Sequence, residues 1–354
     1  MSTILNLVRP EIRELRPYVA AQFEAGMLRL NANETPWPPA GGSSENSLNH
    51  YPEVRPIKLT ERLADHYGLP AEQLLVTRGS SDAIDLLIRC FCRAGQDDIV
   101  ICPPTFGMYE VYAQLQGAGT VRVPLLKANG YALDIEAIKK AWSPRCKLLF
   151  ICSPNNPTGN RFPTAQIDEL CEFLAGRGLV VVDGAYVEFA DEDPTAGLLQ
   201  RHENVTILRT LSKAMGLAGI RCGAVAASPA AIKIIGCLLP PYAYPTPSQD
   251  AALACLEPAV RPELEKRIAN LRAERVRLAN QIRQLPNVIK VWPSEANFLF
   301  VESMAPKKLV AAAKGGDILI RDFSWDRFTK NCLRITLGDI AQNDQLLAAL
   351  KNQE

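Results

Sequence analysis

The 354-residue chain has only three histidines, His50, His66 and His202, each isolated, and neither a CxxC pair nor an HExxH motif. Metal centres need several such ligands at fixed spacing, so no metal site is expected. No run approaches the roughly 20 apolar residues that cross a bilayer. Neither sign of charge predominates: 39 Lys and Arg face 38 Asp and Glu, for a net charge of +1. With no basic stretch, nucleic acids and anionic membrane surfaces find no electrostatic footprint. The first residues, MSTILNLVRPEIRELRP, lack the apolar core of a secretory signal. GxxxxGK, a complete GxGxxG, GxSxG and SxxK are all missing, which leaves serine-hydrolase chemistry without a nucleophile motif.

What is present is ordinary globular material, 47% hydrophobic and 22% charged, and long enough for about two domains. Ten cysteines could signal disulfides, but Cys90, Cys92, Cys102, Cys152, Cys171 and Cys255 sit in apolar segments of a large chain. They read as reduced, buried thiols of a cytoplasmic protein. Short apolar runs at 73–77, 98–104, 146–152, 179–183, 205–209 and 221–228 alternate with helical patterns. Strands so continuously apolar are buried on both faces, which predicts a largely parallel α/β sheet covered by helices. Beyond residues 240–249 the pattern changes. A long helix at 262–285, strands at 297–303, 317–323 and 332–338, and a closing helix near 340–351 predict a smaller α+β unit. The division expected is an arm, 1–32, packed on the small unit; a large domain, 33–255; and a small domain, 256–354.

Open parallel sheets bind ligands beyond the carboxyl ends of their strands, so the residues that follow each strand carry the chemistry. Gly79-Ser80-Ser81-Asp82 opens a helix and reads either as a phosphate cradle or as a plain N-cap. Phe106 is a stacking platform or a core residue; Asn155 to Gly159 is a turn or a source of amides. Asp183 ends an apolar strand, where a carboxylate is costly unless it is paired. RTLSKAMGLAGIRCG, 209–223, is a solvated loop or a lysine, Lys213, beside an anion site at Arg221. A lysine, a carboxylate and a phosphate site at one sheet edge suit pyridoxal 5'-phosphate (PLP): its aldehyde condenses with the lysine, its ring nitrogen pairs with the carboxylate and its phosphate is anchored.

The blocks SPNNPTG, an aspartate two residues before Ala-Tyr, and Ser-Lys with an arginine eight residues on resemble the class I/II aminotransferases of fold type I. LRLNANETPWPP, HYPE, VTRGSSDAIDLLIRCFC, CPPTFGMY, LRTLSKAMGLAGIRCG, PSEANFLF and CLRITLG follow one another as in the members that act on histidinol phosphate. That resemblance covers the chain from about Pro17 onward. It implies a mixed, mainly parallel seven-stranded sheet and a cytoplasmic homodimer. The implied reaction is amino transfer between histidinol phosphate and 2-oxoglutarate, yielding glutamate, in histidine biosynthesis. Related branches with the same cofactor act on aromatic amino acids or decarboxylate threonine phosphate. A non-catalytic regulator domain would be preceded by a helix-turn-helix or basic patch, and none is present.

Residue by residue, Lys213 is the implied covalent anchor and proton shuttle, and Asp183 the partner of the ring nitrogen. Asn156 and Tyr186 are implied to hold the ring hydroxyl oxygen and Phe106 to stack on the ring. Ser80, Ser81, Asp82, Thr210, Ser212 and Arg221 are implied around the phosphate, joined by Tyr51 from the neighbouring subunit. Arg321, Arg334, Tyr18 and Asn33 are the implied substrate contacts. Two positions depart from the family pattern: Gly184 replaces the usual Glu of Asp-Glu-Ala-Tyr, and Ser81-Asp82 stands where the cradle often has Asp-Glu.

Overall fold

A computed structural model describes residues 3–16, 18–21, 27–41 and 48–351. The first unit contains helices α1 (Pro10–Arg13), α2 (Ile57–Tyr67), α3 (Ser80–Phe91), α4 (Met108–Gln116), α5 (Ile135–Ala141), α6 (Thr164–Leu174), α7 (Thr195–Arg201), α8 (Pro229–Gly236) and α9 (Thr246–Cys255). Its strands are β1 (Leu74–Thr77), β2 (Asp98–Ile101), β3 (Gly119–Arg122), β4 (Cys146–Cys152), β5 (Leu179–Asp183), β6 (Val205–Thr210) and β7 (Gly223–Ala226). They form one seven-stranded sheet in the order β1-β7-β6-β5-β4-β2-β3. Only β7 runs against its neighbours.

Period-two alternation explains why this sheet is buried twice over. Leu148, Phe150 and Cys152 of β4 point into one apolar cluster, while Leu149 and Ile151 point into the other. Helices cover both faces, which is the arrangement the uninterrupted apolar strands predict. The half-exposed edge strand β3 was not legible as a strand, because its GTVR sequence carries no apolar run.

The second unit comprises α10 (Arg261–Ile282), β8 (Val288–Trp292), β9 (Phe298–Ser303), α11 (Pro306–Gly315), β10 (Arg321–Asp322), β11 (Cys332–Thr336) and α12 (Ile340–Lys351). Its antiparallel sheet has the order β10-β11-β9-β8. The strand expected over 317–323 is reduced to the two residues of β10. Trp292, Phe300 and Cys332 join an apolar cluster of the first unit, so the two sheets share a core.

Of the N-terminal arm, expected on the second unit, the stretch 3–9 packs on the first: Ile4 and Val8 are buried in the apolar cluster that holds α3 and α8. Arg9 fastens the arm there: its backbone N–H donates to Cys90 O (3.1 Å) and its Nη1 to Arg89 O (3.0 Å). The physical reason is that the last carbonyls of a helix lack intrahelical donors, and the end of α3 is where Arg9 supplies them. Residues 1–2, 17 and 22–26 of the arm lie outside the described residues.

Candidate active site

Because β7 alone is reversed, its beginning lies at the edge where the other strands end. Gly223 pairs with both Thr77 of β1 and Thr210 of β6. Arg221, two residues earlier, is thereby delivered to the carboxyl edge of the sheet. It holds a left-handed backbone, φ 56°, uncommon for a side-chain-bearing residue. Its guanidinium lies across Gly79, where a Cβ would meet Nη2 at 2.6 Å. Gly79 also has φ +79°, so the turn from β1 into α3 needs glycine for backbone and space alike. A Cβ on Gly223 would meet Gly79 C and Ser80 N at 2.7 Å. Gly79 is the first residue of the cradle read from the sequence; the role of Gly223, packed against that turn, was not legible, its only signal being its place before the apolar run.

One cavity collects the ends of five strands. Its wall includes Ser80, Ser81, Phe106, Asn156, Asp183, Tyr186, Thr210, Ser212, Lys213 and Arg221, with Cys152 and Ala185 in addition. At the anion end, Ser80 and Ser81 open α3, whose first N–H groups have no intrahelical partner. Thr210 Oγ1 lies 3.0 Å from Ser212 Oγ, and Arg221 Nη1 donates to Ser212 Oγ at 3.3 Å and to Ala218 O at 3.1 Å. Four hydroxyls, a helix N-terminus and a guanidinium match a phosphate group.

At the other end Asp183 is fully buried. Tyr109 Oη donates to its Oδ2 at 2.7 Å and the Ala185 N–H to its Oδ1 at 3.1 Å. Burial pushes the Asp183 carboxyl above the ordinary range, while Tyr109, the Ala185 N–H and Lys213 pull the other way. Tyr109 was missed, although a buried carboxylate demanded a donor and an aromatic stood three residues after Phe106. Between the ends, Asn156 Nδ2 donates to Tyr186 Oη (3.2 Å), and Arg334 Nη1 donates to Asn156 Oδ1 (2.6 Å).

Lys213 Nζ sits 5.6 Å from the centre of the Tyr186 ring. The residue is partly open to solvent, which screens nearby charges. Burial of its amine, followed by Arg334 and Arg221, lowers its pKa; Asp183 opposes them. Burial likewise lowers Arg334 and raises the Tyr186 phenol and the Cys152 thiol, so that thiol stays protonated.

Six expected contacts are not part of the cavity wall: Arg334 reaches it through Asn156, and the other five stand apart. Asp82 is engaged by Arg78, whose Nη2 donates to Oδ1 at 2.8 Å, which turns its carboxylate to a neighbour. Tyr51 is exposed and stacked on Tyr242, with ring centres 4.7 Å apart. Tyr18 borders a separate apolar groove with Leu15, Ile57 and Ile234, and Asn33 is exposed. Arg321 is exposed beside Phe323 and opposite Arg334 in the β10–β11 register. Gly184 leaves Asp183 undisturbed; a Cβ there would approach Leu208 O at 3.3 Å.

The sequence profile of the family "Aminotransferase class I and II" matches residues 29–350, and the chain belongs to that family. It is 42% identical over 355 residues to a histidinol-phosphate aminotransferase of Xylella fastidiosa, covering 99% of this chain and 97% of the relative. A protein of Idiomarina loihiensis named histidinol-phosphate aminotransferase 2 is 39% identical over 357 residues, covering 99% of both chains. The crystal structure of the histidinol-phosphate aminotransferase from Clostridium acetobutylicum superposes with a TM-score of 0.77 at 22% identity, covering 86% of this chain and 90% of that one, a likeness of fold. The cofactor of this family's chemistry is PLP, and the donor set fits it: an anion cradle, a buried carboxylate, an aromatic wall and one lysine.

Proposed function

We propose that the protein transfers an amino group between histidinol phosphate and 2-oxoglutarate, with Lys213 as the residue that holds PLP. The observation that carries the reading is the placing of Lys213 in one cavity with Asp183 and the Ser80–Ser81–Arg221 cradle. When bound, PLP supplies an electron sink that stabilises negative charge at the substrate carbon bearing the amine. The chain's residues do the rest. Lys213 Nζ, its pKa lowered chiefly by burial, gives up its proton more readily than a free lysine and is placed to take one up and return it. Asp183 presents a fixed carboxylate to the ring nitrogen, Asn156 and Tyr186 offer donors to the ring oxygen, and Phe106 excludes water from one side of the ring.

Substrate choice rests on Arg334 and Arg321. Arg334 is held by Asn156 and flanked by Phe298 and Phe323, which fixes the fork for a carboxylate or phosphate. The two full-length relatives named for histidinol phosphate support this donor. The protein acts as a homodimer in this reading: Val19, Met27, Leu28, Leu30 and Trp37 are exposed apolar side chains in one stretch of the chain, the kind of surface that a second subunit covers. Tyr51 of one subunit then serves the phosphate of the other. Ten free cysteines, eight of them buried, suit the reducing cytoplasm, and among the described residues no helix is long and apolar enough to cross a membrane.

A single-turnover panel tests the assignment: holoenzyme is mixed with histidinol phosphate, phenylalanine, tyrosine or threonine phosphate, and loss of the cofactor's aldehyde absorbance is followed. Histidinol phosphate should react fastest. Faster reaction with phenylalanine or tyrosine, or release of CO₂ from threonine phosphate, would reassign the substrate.

A further inference from the structure

We infer that Tyr109 is a positioning residue that acts through Asp183 on the nitrogen of the cofactor ring. The inference rests on the reading that this cavity holds PLP. Tyr109 is completely buried at the start of α4, and its phenol donates to Asp183 Oδ2 at 2.7 Å, with the Cys152 thiol beside it. Its ring is fixed on two sides: it stacks on Phe150 of β4, with centres 4.7 Å apart and planes at 17°, and meets Phe106 edge-on, with centres 5.6 Å apart and planes at 83°. One side chain therefore aims the carboxylate expected to face the ring nitrogen and braces the aromatic expected to lie against the ring.

The direction of its effect follows from the chemistry. Asp183 sits where burial favours the neutral acid, and a phenol that donates to the carboxylate favours the charged form. Burial raises the Tyr109 phenol well above its ordinary value, so it remains a donor and does not compete for the charge. With Oδ2 and Oδ1 each tied to a donor on the protein, the carboxylate plane is set before any ligand arrives. A core tyrosine that merely satisfied its own hydroxyl would leave the same distances, so the discriminating readout must depend on the ring nitrogen itself.

Tyr109→Phe keeps the stack on Phe150 and removes only the donor. Apoprotein affinity is measured for PLP and for its analogue in which the ring nitrogen is replaced by C–H. The variant should bind PLP about tenfold more weakly, the size of one hydrogen bond to a charged group, and bind the carbon analogue as the parent does. In an Asp183→Asn background the same change should have little further effect on PLP. Equal losses for both ligands, no loss for either, or the same loss with and without Asp183 would overturn the inference. A parent protein that takes up neither ligand would overturn the reading of the cavity, a different result from all of these.

Discussion

Lys213 and Arg334 show how a site built of several cations tunes one of them. Arg334 lowers the proton affinity of Lys213, and it also grips Asn156 through Nη1. Arg334→Met should therefore do two things. It removes a charge-assisted contact, so kcat/KM for the phosphorylated donor should fall about ten- to a hundredfold. It also withdraws a like charge, so the Lys213 pKa should rise, and the pH at which the protein captures PLP should move upward. Stopped-flow capture rates across pH measure this; an unchanged profile would mean that Arg334 does not act on Lys213. At this scale the sequence singled out Lys213 and Asp183 by their places after apolar strands, with a solvated loop as the other reading of the lysine stretch, and the fold brings both into one cavity. Tyr109 was not legible because its task is defined only by the partner it meets, 74 residues away in sequence.

Secondary-structure elements were legible where burial is symmetric. β4 and β5 fall on the apolar runs because both faces are covered. β3 was missed because GTVR carries no apolar run, whereas β8, VIKVW, was overlooked although four of its five residues are apolar. What no single segment announces is the reversal of β7, which carries Arg221 to the edge and presses Gly223 against the turn into α3. A methyl group at Gly223 would overlap backbone atoms, including Arg209 O at 2.8 Å. Gly223→Ala should cost roughly 1–3 kcal/mol, as for other overpacked sites, and loosen the phosphate cradle. Urea unfolding together with affinity for inorganic phosphate would show both; an unchanged midpoint would mean the sheet shifts without cost.

Over the whole molecule, the division into a large α/β unit and a smaller α+β unit follows the change of pattern near residues 240–249. The docking of the arm did not follow, because Ile4 and Val8 are too few to name the face that they bury. Tyr51 stands away from the cavity of its own chain, exposed and stacked on Tyr242. If two copies share their sites, subunits carrying Lys213→Ala and subunits carrying Tyr51→Ala should be nearly inactive alone and regain activity when mixed and reassembled. In a mixed dimer one site carries both changes and the other neither. Absence of recovery, with mixed dimers demonstrated by mass, would contradict shared sites.

The account stands on Lys213 as the group that captures the cofactor. Borohydride reduction of the PLP-loaded protein, followed by peptide mapping, tests this most directly. The label should reside on the peptide containing Lys213 and be lost in Lys213→Ala. A label on another lysine, or one that persists at the site in Lys213→Ala, would contradict it.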